Sequence, residues 1–149
     1  MIGLGSYAFF WQQSARNPKP LTLAEAFAAT KTLGVDLFQI CDYAPLIEMS
    51  EAELQEAAAT AKNLGLTIEL GTKGIEPEHL ELFLKLAGIF DAKLVRSMVY
   101  STTSKPTLQQ AAEYLHQAMP AFEAAGVTLA LETYEQISTD DLAELVRQN

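Results

Sequence analysis

Apolar residues are arranged along the chain in two alternating textures. Continuous runs open at Ile2 (IGLGSYAFFW), Val35 (VDLFQICDY), Leu66 (LTIELGTKG), Lys93 (KLVRSMVY) and Val127 (VTLALETYE). Between them, apolar positions fall at three- and four-residue steps. Leu54, Ala57, Ala61 and Leu64 form one such set, and Leu80, Phe83, Leu84 and Ala87 another. That spacing puts the apolar side chains on one face of a helix, whereas a short unbroken run suits a strand buried on both sides.

The boundaries between these textures carry their own chemistry. Gly34, Gly65 and Gly126 each end a helical pattern directly before an apolar run. Glycine adopts the left-handed turn after a helix without a Cβ penalty, so helix–Gly–strand is the expected reading. The fourth run follows Asp91-Ala92, with no glycine. At the other end of the helices, Thr22 with Glu25, Ser50 with Glu53 and Thr107 with Gln110 have the spacing of capping boxes, and Pro77 suits a first helical position. Pro120, late in the fourth helical pattern, predicts a kink.

A run plus a helix about every 30 residues is the βα unit, and strict alternation implies a parallel sheet, either doubly wound or closed into a barrel. The expectation is α/β, with five strands and five helices, the last helix being STDDLAELVRQN. A dinucleotide fold needs a glycine-rich turn opening the first helix. Here Gly3-Leu4-Gly5-Ser6 lies within or before the first run, and no third glycine follows. No GxxxxGK[ST] segment occurs.

Polar side chains interrupt the apolar runs in their middle or second half: Gln39, Glu69, Arg96 and Glu132. Buried charge must be paired, bound to an ion, or placed at a solvated mouth. In a barrel, inward residues near the C-terminal strand ends converge on one cleft, so this set is read as a candidate site. For Glu69 and Arg96, a structural ion pair and a substrate role stand side by side. Gln39 also suits a hydrogen bond to backbone at a strand end. Glu132 has no basic neighbour in its own run, which points toward a metal or solvent partner. Trp11 offers a wall for the apolar face of a sugar, or core packing with Tyr7, Phe9 and Phe10. Lys73 suits a phosphate or carboxylate, or simply a solvated loop. His79 and His116 fall in helical patterns and read as surface residues without metal-ligand spacing.

Composition narrows the function classes. The 149 residues include 10 basic and 19 acidic side chains, a net charge of −9 that argues against a nucleic-acid partner. No stretch approaches the ~20 apolar residues of a membrane span, and MIGLGSYAFFW lacks the basic flank of a signal peptide. A soluble cytoplasmic protein is the expectation. The one cysteine, Cys41, excludes an internal disulfide and reads as a small buried residue.

Taken together, these segments resemble the sugar phosphate isomerase/epimerase family of xylose isomerase-like TIM barrels, over the whole chain. VTLALETYEQISTDDLAELV is similar to that family's fifth strand, with Glu132 at the position of a metal-binding glutamate. Thr133-Tyr134 stand where Asn-His is common, which bears on any polar contact from Tyr134. IELGTKGIEPEHL and LVRS resemble the third- and fourth-strand segments. GLGSYAFFW resembles the first, and FQICDYAPL the second, with Gln39 and Asp42 near its mouth.

The resemblance implies a metal-dependent isomerase or epimerase acting on a small sugar or sugar phosphate. In it, Glu132 is both metal ligand and acid/base, moving a proton next to a carbonyl by way of an enediolate. It implies a divalent ion, Mn²⁺ or Mg²⁺, and substrate contacts from Trp11, Gln39, Asp42, Glu69, Lys73, Arg96 and Tyr134. A closed (βα)₈ barrel takes ~250 residues. The expectation is therefore one truncated barrel domain over residues 1–149, supplying about five βα units, lacking most metal ligands and inactive alone. Exposed edge strands make a homodimer a further expectation. The alternative is a non-catalytic binding or assembly module on a partial barrel.

Overall fold

The computed structural model describes residues 2–149. Five strands alternate with helices: β1 (Gly3–Gly5), β2 (Leu37–Ile40), β3 (Thr67–Lys73), β4 (Leu94–Met98) and β5 (Thr128–Leu131). The helices are α1 (Phe10–Gln13), α2 (Leu23–Thr32), α3 (Glu51–Asn63), α4 (Pro77–Phe90), α5 (Leu108–Ala125) and α6 (Thr139–Gln148). The strands follow one another in the sheet in chain order, and the described pairings are parallel. This is the α/β architecture of five βα units.

Local signals explain most boundaries. Thr22, Ser50 and Thr107 each accept the backbone N–H three residues on, and Glu25, Glu53 and Gln110 return the bond, so all three capping boxes form. Gly34, Gly65 and Gly126 have φ between 64° and 73°, the left-handed turn anticipated for them. Asp91 takes the same turn with φ 51°, because aspartate tolerates this region better than most residues. The helix α5 runs through Pro120 as one 18-residue element. His116, four residues earlier, is exposed, so the carbonyl that loses its helical partner can turn to water.

The first run behaves differently from the expectation of a long strand. Only Gly3–Gly5 is extended, and Ser6–Phe9 turns into a 3₁₀ helix leading directly into α1. The hydroxyl of Ser6 explains the early turn. It accepts the Cys41 N–H at 2.8 Å and donates to the Cys41 carbonyl, tying the end of β1 to the end of β2. Cys41 is buried, as a small apolar residue would be.

The chain divides into two compact units. The first comprises Met1–Glu69 with Ile89–Ala92 and centres on an aromatic core. Phe27 and Phe38 are fully buried and meet edge-on at 5.1 Å, with Phe9 against Phe38 at 6.2 Å. Each such ring contributes about 1.5–3 kcal/mol by leaving water. The second comprises Leu70–Gly88 with Lys93–Asn149, where Leu80, Val95, Leu115 and Phe122 are buried. Among the described residues, no helix is long and apolar enough to cross a membrane.

Candidate active site

The strands of the second unit have two unlike faces. Along β4, Val95 and Ser97 are buried, whereas Leu94, Arg96 and Met98 are only partly covered. Successive side chains point to opposite faces, so Arg96 stands on the more open one. Its register neighbours are Gly71 on β3 and Ala130 on β5, the two smallest residues. One step further along the same face come Lys73, Met98 and Glu132. Lys73 pairs in register with Met98, and the Glu132 N–H donates to the Ser97 carbonyl at 2.9 Å, carrying the ladder one bond beyond β5.

In this arrangement the Arg96 guanidinium meets the Glu132 carboxylate. The two side chains retain 22% and 33% of their surface, so the pair is mostly covered, and the Glu132 Oε2 that meets the guanidinium is buried. Glu132 has no basic neighbour in its own run, but it has one in space. The cation comes from the adjacent strand, which spacing within one run does not reveal.

Ser97 fixes the backbone around the pair. Its fully buried hydroxyl donates to the Gly74 carbonyl at 2.6 Å, just after β3, while the Gly74 N–H donates to the Met98 carbonyl at 3.0 Å. The loops that follow are also joined, because the Tyr100 N–H donates to Gln136 Oε1 at 3.1 Å. Neither Ser97 nor Gln136 stood out in the sequence. The signal available for Ser97 was a lone hydroxyl on the buried side of an apolar strand.

In the first unit, Gln39 and Glu69 form a second polar pair, with Gln39 Nε2 donating to Glu69 Oε2 at 3.1 Å. Both are partly covered and alternate with buried neighbours on their strands. Asp42 follows β2 with a left-handed φ of 49° and is exposed. Trp11 is 72% exposed and meets Phe10 edge-on at 5.2 Å, so it is a surface aromatic and not core. In the second unit, Lys73 is exposed at the end of β3, and Tyr134 is exposed in the loop after β5.

His79 differs from its surface reading. Its Nε2 lies 2.7 Å from Thr72 Oγ1, and its ring lies 4.9 Å from that of Phe83 on the same face of α4. Burial lowers its pKa below the ordinary imidazole value, partly opposed by the charge of Glu76. His116 is exposed, as expected.

The divalent ion that the resemblance implies would need several ligands brought together. Among the described residues, no three His, Cys, Asp or Glu side chains gather as ligands. Glu132 offers one carboxylate, already matched by a guanidinium. These residues do not fit a metal centre by themselves.

Comparison with known proteins agrees with this fold. No family model matches the chain. The 3-oxo-isoapionate decarboxylase of Pectobacterium atrosepticum is 43% identical over 145 residues, which cover 97% of this chain and 53% of that protein. The chain therefore spans about half the length of this curated relative. The structure of D-psicose 3-epimerase from Clostridium cellulolyticum H10 with D-tagatose superposes with a TM-score of 0.74 at 19% identity, covering 98% of this chain and 58% of that one. The structure of the IolI protein with a bound zinc atom gives a TM-score of 0.68 at 17% identity, covering 99% and 58%.

Fold and comparisons together define the architecture: that of a TIM barrel, of which this chain holds five βα units. The resemblance read from the sequence holds at the level of fold.

Proposed function

We propose that this chain belongs to a sugar-processing enzyme that removes CO₂ from a 3-oxo sugar acid. The observation that carries this reading is the 43% identity to a 3-oxo-isoapionate decarboxylase across 97% of the chain, against 19% to the D-psicose 3-epimerase structure. The bond to the carboxylate carbon breaks, and its electron pair moves to the carbon beside the carbonyl, giving an enolate. CO₂ leaves, and a proton is added to that carbon. Epimerisation next to a carbonyl passes through a closely related enediolate, which is why one fold suits both chemistries.

In this reading Arg96 faces the 3-oxo oxygen, where negative charge develops, and Glu132 handles the proton. A fixed cation is worth most where charge grows during the reaction, and a positioned carboxylate contributes about 10²–10⁴-fold as acid or base. Gln39, Asp42, Glu69, Lys73, Trp11 and Tyr134 are assigned to substrate hydroxyls, charges and apolar faces. The second reading, an isomerase or epimerase using the same Glu132, is favoured by the epimerase fold likeness.

The test uses the intact protein with a 3-oxo sugar acid, following CO₂, and with neutral ketoses in D₂O, following deuterium uptake by NMR. CO₂ release from the acid that falls at least ~100-fold in Glu132→Gln supports the proposal. Deuterium exchange into ketoses without CO₂ release overturns it in favour of an epimerase. Neither reaction would leave the chain as a binding module.

A further inference from the structure

We propose that Gln136 is a positioning residue: by accepting the Tyr100 N–H it latches the loop after β5 to the loop after β4, and the latch holds Glu132 where it handles the proton. The inference rests on the reading of Glu132 as the proton-transfer carboxylate and deepens it. Both loops belong to the second unit. One follows the strand that carries Arg96, and the other begins at Glu132. The Tyr100 N–H donates to Gln136 Oε1 at 3.1 Å. Among the described residues, no other hydrogen bond joins the two loops.

The loop after β5 runs between two anchors. At its start the Glu132 N–H is held by the Ser97 carbonyl, and at its end Ser138 caps α6 by accepting the Asp141 N–H at 3.1 Å. Between them Thr133, Tyr134 and Glu135 are exposed, whereas Gln136 is partly covered. Across the bond, Tyr100 adjoins a closely tied segment. The Ser101 N–H donates to the Ser104 carbonyl at 2.9 Å, and the Ser101 hydroxyl accepts the Ser104 N–H at 3.0 Å. Gly74, after β3, comes so near that a Cβ there would lie 3.2 Å from Ser101 Cβ. Gln136 therefore fastens a loop of exposed residues to a firmly bonded neighbour. A backbone N–H needs an acceptor, which fixes the amide with Oε1 toward Tyr100. The Glu132 carboxylate has little slack of its own, because its Oε2 is buried against Arg96. Its reach is set by the main chain, held at Glu132 by Ser97 and beyond it by Gln136. A reacting group displaced by about 1 Å can lose about 10²-fold in rate, so a bond remote from the substrate matters here.

The test compares Gln136→Leu, which removes the acceptor, with Gln136→Glu, which keeps an acceptor and removes the amide donor. Both are made in the intact protein and read in two ways. The first is turnover, as CO₂ release from a 3-oxo sugar acid or deuterium uptake into a ketose. The second is amide hydrogen exchange at Tyr100 and Glu132 by NMR. Gln136→Leu is expected to lower kcat at least about tenfold with KM within about twofold, and to speed exchange at both amides at least about tenfold. Gln136→Glu is expected to keep kcat and protection, because a carboxylate accepts the Tyr100 N–H at least as well. Its added charge acts on KM for an acidic substrate. If Gln136→Leu does not fold, Gln136→Ala is read in the same way.

Unchanged kcat in Gln136→Leu, or unchanged exchange at Tyr100 and Glu132, overturns the inference. Equal loss of kcat in both variants also overturns it, since the amide donor and not the latch would then matter. A wild type that performs neither reaction, with exchange quickened in Gln136→Leu and not in Gln136→Glu, would sink the reading of Glu132 as proton carrier and leave the latch standing. CO₂ release that Gln136→Leu leaves intact would sink this inference alone.

Discussion

Ser97 holds Glu132 through its main chain and Gly74 through its side chain: its carbonyl accepts the Glu132 N–H at 2.9 Å, and its hydroxyl donates to the Gly74 carbonyl at 2.6 Å. The residue just before it is Arg96, so one strand end sets both members of the ion pair. The hydroxyl is fully buried and also reaches the Met98 carbonyl at 3.1 Å. Ser97→Ala removes the donor and leaves the Gly74 carbonyl unmatched, while the Met98 carbonyl keeps the Gly74 N–H. We expect a loss of about 1–3 kcal/mol in equilibrium denaturation. A change within error would mean that water or a backbone shift satisfies Gly74.

Two glycines with positive φ should respond differently to alanine. At Gly34, φ is 73° and a Cβ would meet nothing within 4 Å. The cost there is the left-handed backbone alone, roughly 1–2 kcal/mol. At Gly74, φ is 102°, and a Cβ would lie 2.6 Å from Glu76 Oε2 and 3.2 Å from Ser101 Cβ. Gly74→Ala should therefore cost more than Gly34→Ala, with the excess visible in denaturant midpoints. Equal costs would show that the Glu76 side chain and the Ser101 loop yield freely.

The contrast between local and non-local signals also decides what the sequence disclosed. Helix starts, the glycine turns and the order of βα units were legible because each depends on residues only a few positions apart. The turn at Asp91 was not marked by a glycine, since aspartate there takes the same conformation. The early end of β1 was hidden because it depends on Ser6 bonding to Cys41, far away in sequence. For the site, the polar residues were legible as oddities in apolar runs, but their partners were not. Glu132 meets Arg96 through strand register, and His79 is covered because Thr72 and Phe83 flank it. Register and helix rotation emerge only when strands pair and helices pack.

The cap of α5 offers a check on the local arguments. Thr107 Oγ1 accepts the Gln110 N–H at 3.2 Å, and Gln110 Oε1 accepts the Thr107 N–H at 2.9 Å. Both residues are exposed, so water competes and the cap acts mainly by fixing the first turn. Thr107→Ala should cost about 1 kcal/mol and Thr107→Ser almost nothing, measured by thermal or chemical unfolding. If serine proves as costly as alanine, the threonine methyl and not the hydroxyl matters.

His79 predicts a pH dependence of stability whose sign follows from its lowered pKa. The ordinary value is 6.5, and burial in the fold disfavours the imidazolium, with Glu76 pulling the other way. Near and below 6.5 the unfolded chain therefore takes up a proton more readily than the folded one. The stabilising contribution is fully present above 6.5 and is lost as pH falls from there through the folded-state value. Glu25 and Glu53, lowered from 4.5 by their capping bonds, lose their contributions only in a more acidic window. Chemical denaturation of the wild type and of His79→Gln, across a series from above 6.5 to just above 4.5, separates the two effects. The wild type should lose stability through that range, whereas the variant should be flatter. Parallel curves would mean that the imidazole charges without disturbing Thr72 or Phe83.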